Sequence, residues 1–320
     1  MSQPRKHHYL PQFYIRFFSE NGKQVFQIEK ASARCYLCSI KDAAAIRDYH
    51  KIDHQDAEDP HILEKRLSKI EDDFAKALEE VITSGIRTKH VYARLIEFVS
   101  LMRVRVPPFK LFAEETLKKF VSSTGKIMER KAMLPSLPGG VADDLFENGS
   151  IIVEISNWKC MELMFEHAFD QSTLRLLASM TPSILRTPKN STLITCDQPA
   201  SVFQPDANSS NSFMIGLAHP KTEITLPLSH NVLLMLTWNK EAPSERIMTE
   251  DDVQEFNRRT IVMANSLVFS SKRSLNLENI VKKYNKYNAG FALEELDSGE
   301  EIYIICKYSP VMDIDRYKKV

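Results

Sequence analysis

The sequence predicts an α+β protein, helix-rich, with a helical layer packed on a mostly antiparallel sheet. Two observations predict it. Apolar residues recur at three- and four-residue steps through the middle of the chain. Short β-prone runs broken by Pro, Asn and Ser dominate the C-terminal part, so helices and strands segregate rather than alternate. The composition, 43% apolar and 26% charged over 320 residues, is ordinary for a globular chain. The reading is one compact domain over 1–320, with sub-regions 1–60, 61–181 and 182–320.

The opening segment through Phe18 reads as a short helical or extended piece, followed by a turn at Glu20-Asn21-Gly22-Lys23. Val25, Phe26 and Ile28, then Tyr36 and Leu37, suggest two short strands joined near Ala31-Ser32. Asp53 to Pro60 is a break. From His61 the residues Leu63, Leu67, Ile70, Phe74, Ala77 and Val81 form one helical stripe, ended by Thr83-Ser84-Gly85. A second helix carries Val91, Leu95, Phe98 and Met102 to the stop at Pro107-Pro108. A third runs from about Phe109 to Ala132, with Leu117, Phe120, Val121, Thr124 and Ile127 expected inward. Pro135, Pro138, Gly139 and Gly140 make the best linker candidate. A fourth helix is expected over Trp158 to Met180. Beyond Pro182 the β-prone runs are 191–202, 213–217, 223–226 and 232–238. Then come a helix at Asp251–Ala264, a strand at Leu267–Ser270, a helix near Leu277–Tyr287 and a last strand at Ile302–Cys306.

Forty-two basic and forty-two acidic residues give zero net charge, which argues against a non-specific nucleic-acid coat while leaving room for a local basic face. Five cysteines in irregular spacing fit a reducing compartment. No run approaches 18 apolar residues, and Pro11, Gln12 and Arg16 break the stretch Leu10–Phe18, so no signal peptide and no membrane segment is expected. The expectation is a cytoplasmic protein. Among the nine glycines none forms a phosphate loop or a dinucleotide-binding fingerprint, and no zincin or hydrolase-elbow motif is present.

Cys35-x2-Cys38 followed by His50-x3-His54 has the donors for a tetrahedral zinc site, one residue short of finger spacing. Ile40 and Ile46 stand where a finger wants an aromatic and a leucine, so no structural zinc is expected there and no residue is assigned as a metal ligand. Glu64 and Glu71, two helical turns apart, share a flank where they either hold a divalent ion such as Mg²⁺ or line a solvated edge. Asp197, after the run Thr192-Leu193-Ile194, reads equally as a site acid or as a turn former before Pro199. Basic residues gather at Arg103, Arg105 and Lys110. A second group is Lys272, Arg273, Lys282, Lys283 and Lys286, interleaved with Tyr284 and Tyr287. Such a pattern serves either a phosphate backbone and its bases or an ordinary solvated face.

His8-Tyr9-Leu10-Pro11-Gln12-Phe13-Tyr14-Ile15-Arg16-Phe17-Phe18 resembles the His-Tyr-x-Pro-x-Phe-x-x-Arg-x-Phe hallmark of a bacterial family, domain of unknown function 4238. The resemblance continues through Leu63-Glu64 to Ile70-Glu71-Asp72, Arg105-Val106-Pro107, Thr195-Cys196-Asp197-Gln198-Pro199, Pro227-Leu228-Ser229 and Asn257. Cys196 stands for the usual serine and His230 for a common proline. The resemblance implies an origin in prophages or mobile elements and an association with anti-phage defence. The resulting expectation is a nuclease-like effector in which His8, Glu71 and Asp197 are catalytic and Arg105, Ser229 and Asn257 bind the substrate. The alternative is a non-enzymatic sensor that binds a phage protein.

Overall fold

A computed structural model describes residues 6–52, 59–134, 145–147, 149–205, 216–242 and 244–312. The chain begins with strand β1 (Lys6–His8) and the five-residue helix α1 (Gln12–Arg16), followed by β2 (Gln24–Glu29), β3 (Cys35–Ser39) and β4 (Ala45–Arg47). The helical layer comprises α2 (Ile62–Ser84), α3 (Lys89–Val104), α4 (Pro107–Arg130), α5 (Asn157–Ala168) and α6 (Gln171–Ser179). Strands β5 (Thr181–Arg186), β6 (Thr195–Cys196), β7 (Ser201–Phe203), β8 (Glu223–Ser229), β9 (Val232–Thr237) and β10 (Glu245–Ile247) follow. Helix α7 (Glu250–Met263), β11 (Leu267–Ser270), α8 (Leu275–Tyr284) and the hairpin β12 (Gly290–Asp297) and β13 (Ile302–Ser309) complete it. With 41% helix against 23% strand, helix leads, though "helix-rich" overstates a chain with this much sheet.

Two sheets carry the fold, ordered β3-β2-β11-β6 and β10-β5-β9-β8-β7. Among the described residues every strand pair is antiparallel except β10 with β5. Six of the seven residues of β8 are buried, because α2 packs on it and neighbouring strands cover both edges. Pro227 lacks the N–H a central strand needs, and the register shifts between Pro227 and Ser229 at this point. Helix α3 is the hub of the helical layer, packing on α2, α5 and α6. One apolar cluster runs from Tyr9 through α2, α3 and β8 to Phe269, so all three sub-regions contribute to it.

Helix α2 ends as the sequence predicts, with Gly85 at φ +75°. A methyl group there would meet the Glu245 carboxylate at 2.0 Å. Two expectations need correction. Helix α4 points Phe109 and Ala113 inward, whereas Phe120 is 62% exposed and Val121 and Thr124 are also exposed. The reason is partner placement: its first turns meet β12 and β13 through Phe109, Phe112 and Phe291. The expected helix Trp158–Met180 is two helices, because the Asp170 side chain accepts from the Thr173 N–H at 2.7 Å and starts α6 anew. Strands β4, β5, β10 and β12 were not expected. The run at 191–202 is found as β6 and β7, and those at 223–226 and 232–238 as β8 and β9, whereas Leu217 lies in no strand. Residues 213–215, the linker Pro135–Gly140 and His54 lie outside the described residues.

Candidate functional site

The hallmark segment is threaded through the molecule. Tyr9, Leu10, Tyr14, Ile15 and Phe18 are all buried. The Tyr14 hydroxyl donates to the Pro227 carbonyl at 2.7 Å, so the Thr195 hydroxyl, also at 2.7 Å, is the donor to Tyr14. His230, after Ser229, binds the Phe17 carbonyl through its backbone N–H and its ring, both at 3.1 Å. Three stretches of the family pattern thus meet at one residue, Tyr14, and the segment is closed at its far end by His230.

At the other end, strand β1 is clamped by Arg105. Its guanidinium, 1% exposed, donates to Glu71 Oε1 and to the His8 carbonyl, each at 2.9 Å. Glu71, Arg105 and the backbone of His8 therefore do come together. The His8 ring is held loosely: Nε2 donates to the Lys41 carbonyl at 3.2 Å, and Gln12 approaches Nδ1 at 3.5 Å. Burial pushes its pKa below the usual histidine value, leaving the ring neutral at pH 7.

Asp197 lies elsewhere and is fully engaged. Its carboxylate accepts the backbone N–H groups of Asn265, Ser266 and Leu267 at 2.8, 2.7 and 3.0 Å, closing the turn from α7 into β11. Burial pushes its pKa up to about 6, against the lowering effect of those three hydrogen bonds. Among the described contacts none joins it to His8, Glu71 or Arg105; its charge is felt by Tyr9, whose pKa burial has already raised. Lys30 is a neighbour that the sequence did not single out. Buried and four times hydrogen-bonded, it donates to the Val262, Ala264 and Tyr287 carbonyls and to Asn288. Burial lowers its pKa to about 8. Ser229 and Asn257 are likewise turned to their own backbone surroundings. Ser229 donates to Asn231 in the β8–β9 turn. Asn257 accepts from the Ile194 N–H and donates to the Thr192 carbonyl.

A second group of residues stands beside the Arg105 clamp. His50, fully buried, donates from Nδ1 to Glu64 at 2.7 Å, and its backbone N–H donates to His7 Nδ1 at 2.9 Å. The His7 and His50 rings stack at 5.6 Å, and His61 packs edge-on against His7. Burial lowers the His50 pKa to about 4 despite the bond to Glu64. For Glu64 burial opposes ionisation, but the hydrogen bond from His50 and the charge of Arg105 favour the carboxylate, and the net shift is downward. At neutral pH the pair is therefore a neutral imidazole and a carboxylate. Glu64 and Glu71, on one flank as expected, are thus divided between His50 and Arg105. His7 was missed; its only signal was adjacency to His8. Cys35 and Cys38 sit three apart on β3, and they pack against different apolar clusters, so they do not face His50 together.

The two basic groups differ. Arg103 is half-buried, and desolvation lowers its pKa; Arg105 is clamped, and Lys110 lies over the Tyr49 ring at 5.1 Å. The later group is a surface: Lys272, Arg273, Lys282, Lys283 and Lys286 are all exposed. Lys283 stands 4.9 Å over Tyr284 and Lys286 5.7 Å over Tyr287. Beside them lies a cleft of about 390 Å³ lined by polar side chains that include Asn190, Thr192, Asn257, Lys272, Arg273 and Asn276.

The fold and the threaded hallmark define an α+β chain organised around the N-terminal motif. The chain belongs to the family described as protein of unknown function (DUF4238), whose model matches residues 6–274. The match starts with β1 and ends at the residue capping α8, so the exposed basic face of α8 and the β12–β13 hairpin lie beyond it. No curated protein and no solved structure matches the chain. Among the described residues, no helix is long and apolar enough to cross a membrane.

Proposed function

We propose that this protein binds nucleic acid and hydrolyses it, acting as an effector of anti-phage defence that harms the infected cell. The observation that carries the reading is the segment 272–287 around α8: five exposed cations with Tyr284 and Tyr287 among them, of which Lys272 and Arg273 line a polar cleft, on a chain whose net charge is zero. A neutral chain that concentrates cations in one surface segment has the electrostatics to hold the phosphates of a single strand. A polymer need not be gripped where it is cut. In this reading His8, loosely held and neutral, exchanges the proton. Arg105 and Glu71 fix its strand, and Asp197 orders the turn that leads to the cleft. Replacing Lys282 and Lys283 with Glu should weaken single-stranded RNA binding and lower the slope of log affinity against log salt by about 0.7 per lost phosphate contact. Unchanged affinity and slope would remove the basis for the reading.

A specific observation favours the second reading, a non-enzymatic sensor of a phage component. Asp197, Arg105 and Asn257 each direct hydrogen bonds to the fold itself. Binding of a polynucleotide or phage protein without any cleavage would select it.

A further inference from the structure

We propose that His7, His50 and Glu64 form a binding site for one divalent transition-metal ion. The proposal is independent of the nucleic-acid reading. Three segments supply the trio: β1, the stretch after β4, and the first turn of α2. Each side chain offers one ligand atom, and the three atoms lie within 4.8 Å of one another. Two imidazoles and a carboxylate suit zinc, cobalt, manganese or iron(II), whereas magnesium and calcium prefer all-oxygen sites.

The proton positions allow it. His7 Nδ1 accepts the His50 N–H, so the neutral His7 ring carries its proton on Nε2. His50 holds its proton on Nδ1, toward Glu64. Both Nε2 atoms are buried without a hydrogen-bond partner, an unmet donor on His7 and an unmet acceptor on His50. A cation seated between the two Nδ1 atoms and the carboxylate needs two changes: the His50 proton moves from Nδ1 to Nε2, and the His7 Nδ1 lone pair turns from the His50 N–H to the ion. Both rings stay neutral, no proton is released, and the carboxylate supplies one negative charge. Two hydrogen bonds are given up, His50 N–H to His7 and His50 to Glu64, and metal–ligand bonds outweigh them. Arg105 opposes the cation by its charge, and its ion pair with Glu71 offsets that. The Glu64 side chain is 34% exposed while His50 is not exposed at all. The ion is therefore reached from the Glu64 side, where water completes its coordination.

The test uses the full chain, stripped with a chelator and then offered zinc or cobalt alone. One zinc per chain should remain after gel filtration, cobalt should give visible ligand-field bands, and the melting temperature should climb with metal concentration. His50→Ala and Glu64→Gln should each weaken binding by more than about 100-fold, beyond what loss of an outer-shell partner does. Glu64→Gln keeps a neutral acceptor for His50 and so keeps the fold should His50→Ala lose it. Cys38→Ser should bind as the parent does. Folded parent protein that retains no zinc overturns the proposal, as does undiminished binding by folded Glu64→Gln. Loss of zinc in Cys38→Ser would assign the ion to the cysteines and overturn it too.

Discussion

Replacing Glu71 with Gln separates a clamp from a catalyst. The substitution preserves an oxygen that can accept from Arg105 Nη1, so shape and hydrogen bond survive while the charge goes. The guanidinium left behind is 1% exposed, and its Nε already lacks a partner. Removing one member of a buried pair costs on the order of 3–5 kcal/mol, because the other charge stays behind uncompensated. The charge of Glu64, which also reaches Arg105, trims this to about 3 kcal/mol. Arg105→Met is the gentler change, at about 2 kcal/mol. It leaves Glu71, whose side chain is 23% exposed and can hydrate itself, and it removes one hydrogen bond to the His8 carbonyl. The double variant carries no stranded charge, so the cycle should show coupling of roughly 1–3 kcal/mol. Urea unfolding of the four proteins at pH 7, with the m-value held constant, measures it. A Glu71→Gln protein within about 0.5 kcal/mol of the parent, with coupling near zero, refutes the clamp. If that variant also lost all activity, Glu71 would be a reacting group instead.

Two buried groups should give opposite pH signatures. His50 has a folded pKa lowered to about 4, so its contribution is present above the unfolded value near 6.5 and lost as pH falls toward 4, roughly 3 kcal/mol in all. Asp197 has a folded pKa raised to about 6, so its contribution is present below the unfolded value of about 3.8 and lost as pH rises through 6, also roughly 3 kcal/mol. Stability curves of His50→Gln and Asp197→Asn, each subtracted from the parent between pH 4 and 7, should slope in opposite directions; parallel curves would contradict both assignments. Tyr14→Phe should cost about 1–3 kcal/mol by stranding the buried Pro227 carbonyl and Thr195 hydroxyl, and a melting temperature equal to the parent's would show that this junction does not hold the segments together.

The long helices were legible because their signals are local. The stripe Leu63–Val81 and the stop at Gly85 depend on nothing outside α2, and Pro107-Pro108 separates α3 from α4 whatever surrounds it. The inward face of α4 was not legible, because the hairpin that selects it comes much later in the chain. Strand β12 hid for a related reason: Glu294, Glu295 and Asp297 make an exposed strand look like a loop. Asp197 shows the limit for sites. Its position before Pro199 left a turn former and a site acid equally open, and the three N–H groups that engage it lie 68 to 70 residues onward. Arg105 and Glu71 were singled out together and do meet. His50 with Glu64 escaped notice because a histidine and a carboxylate 14 apart have no periodicity to link them, and only the folding of β1 against β4 brings in His7.

The most direct test of the proposed function is incubation of the purified protein with tRNA, plasmid and single-stranded DNA, with and without Mn²⁺ or Mg²⁺. Cleavage of at least one polynucleotide is expected, reduced by His8→Ala at unchanged melting temperature and weakened by the Lys282 and Lys283 charge reversals. Intact substrates under every condition, from protein that is folded and metal-supplied, would contradict it.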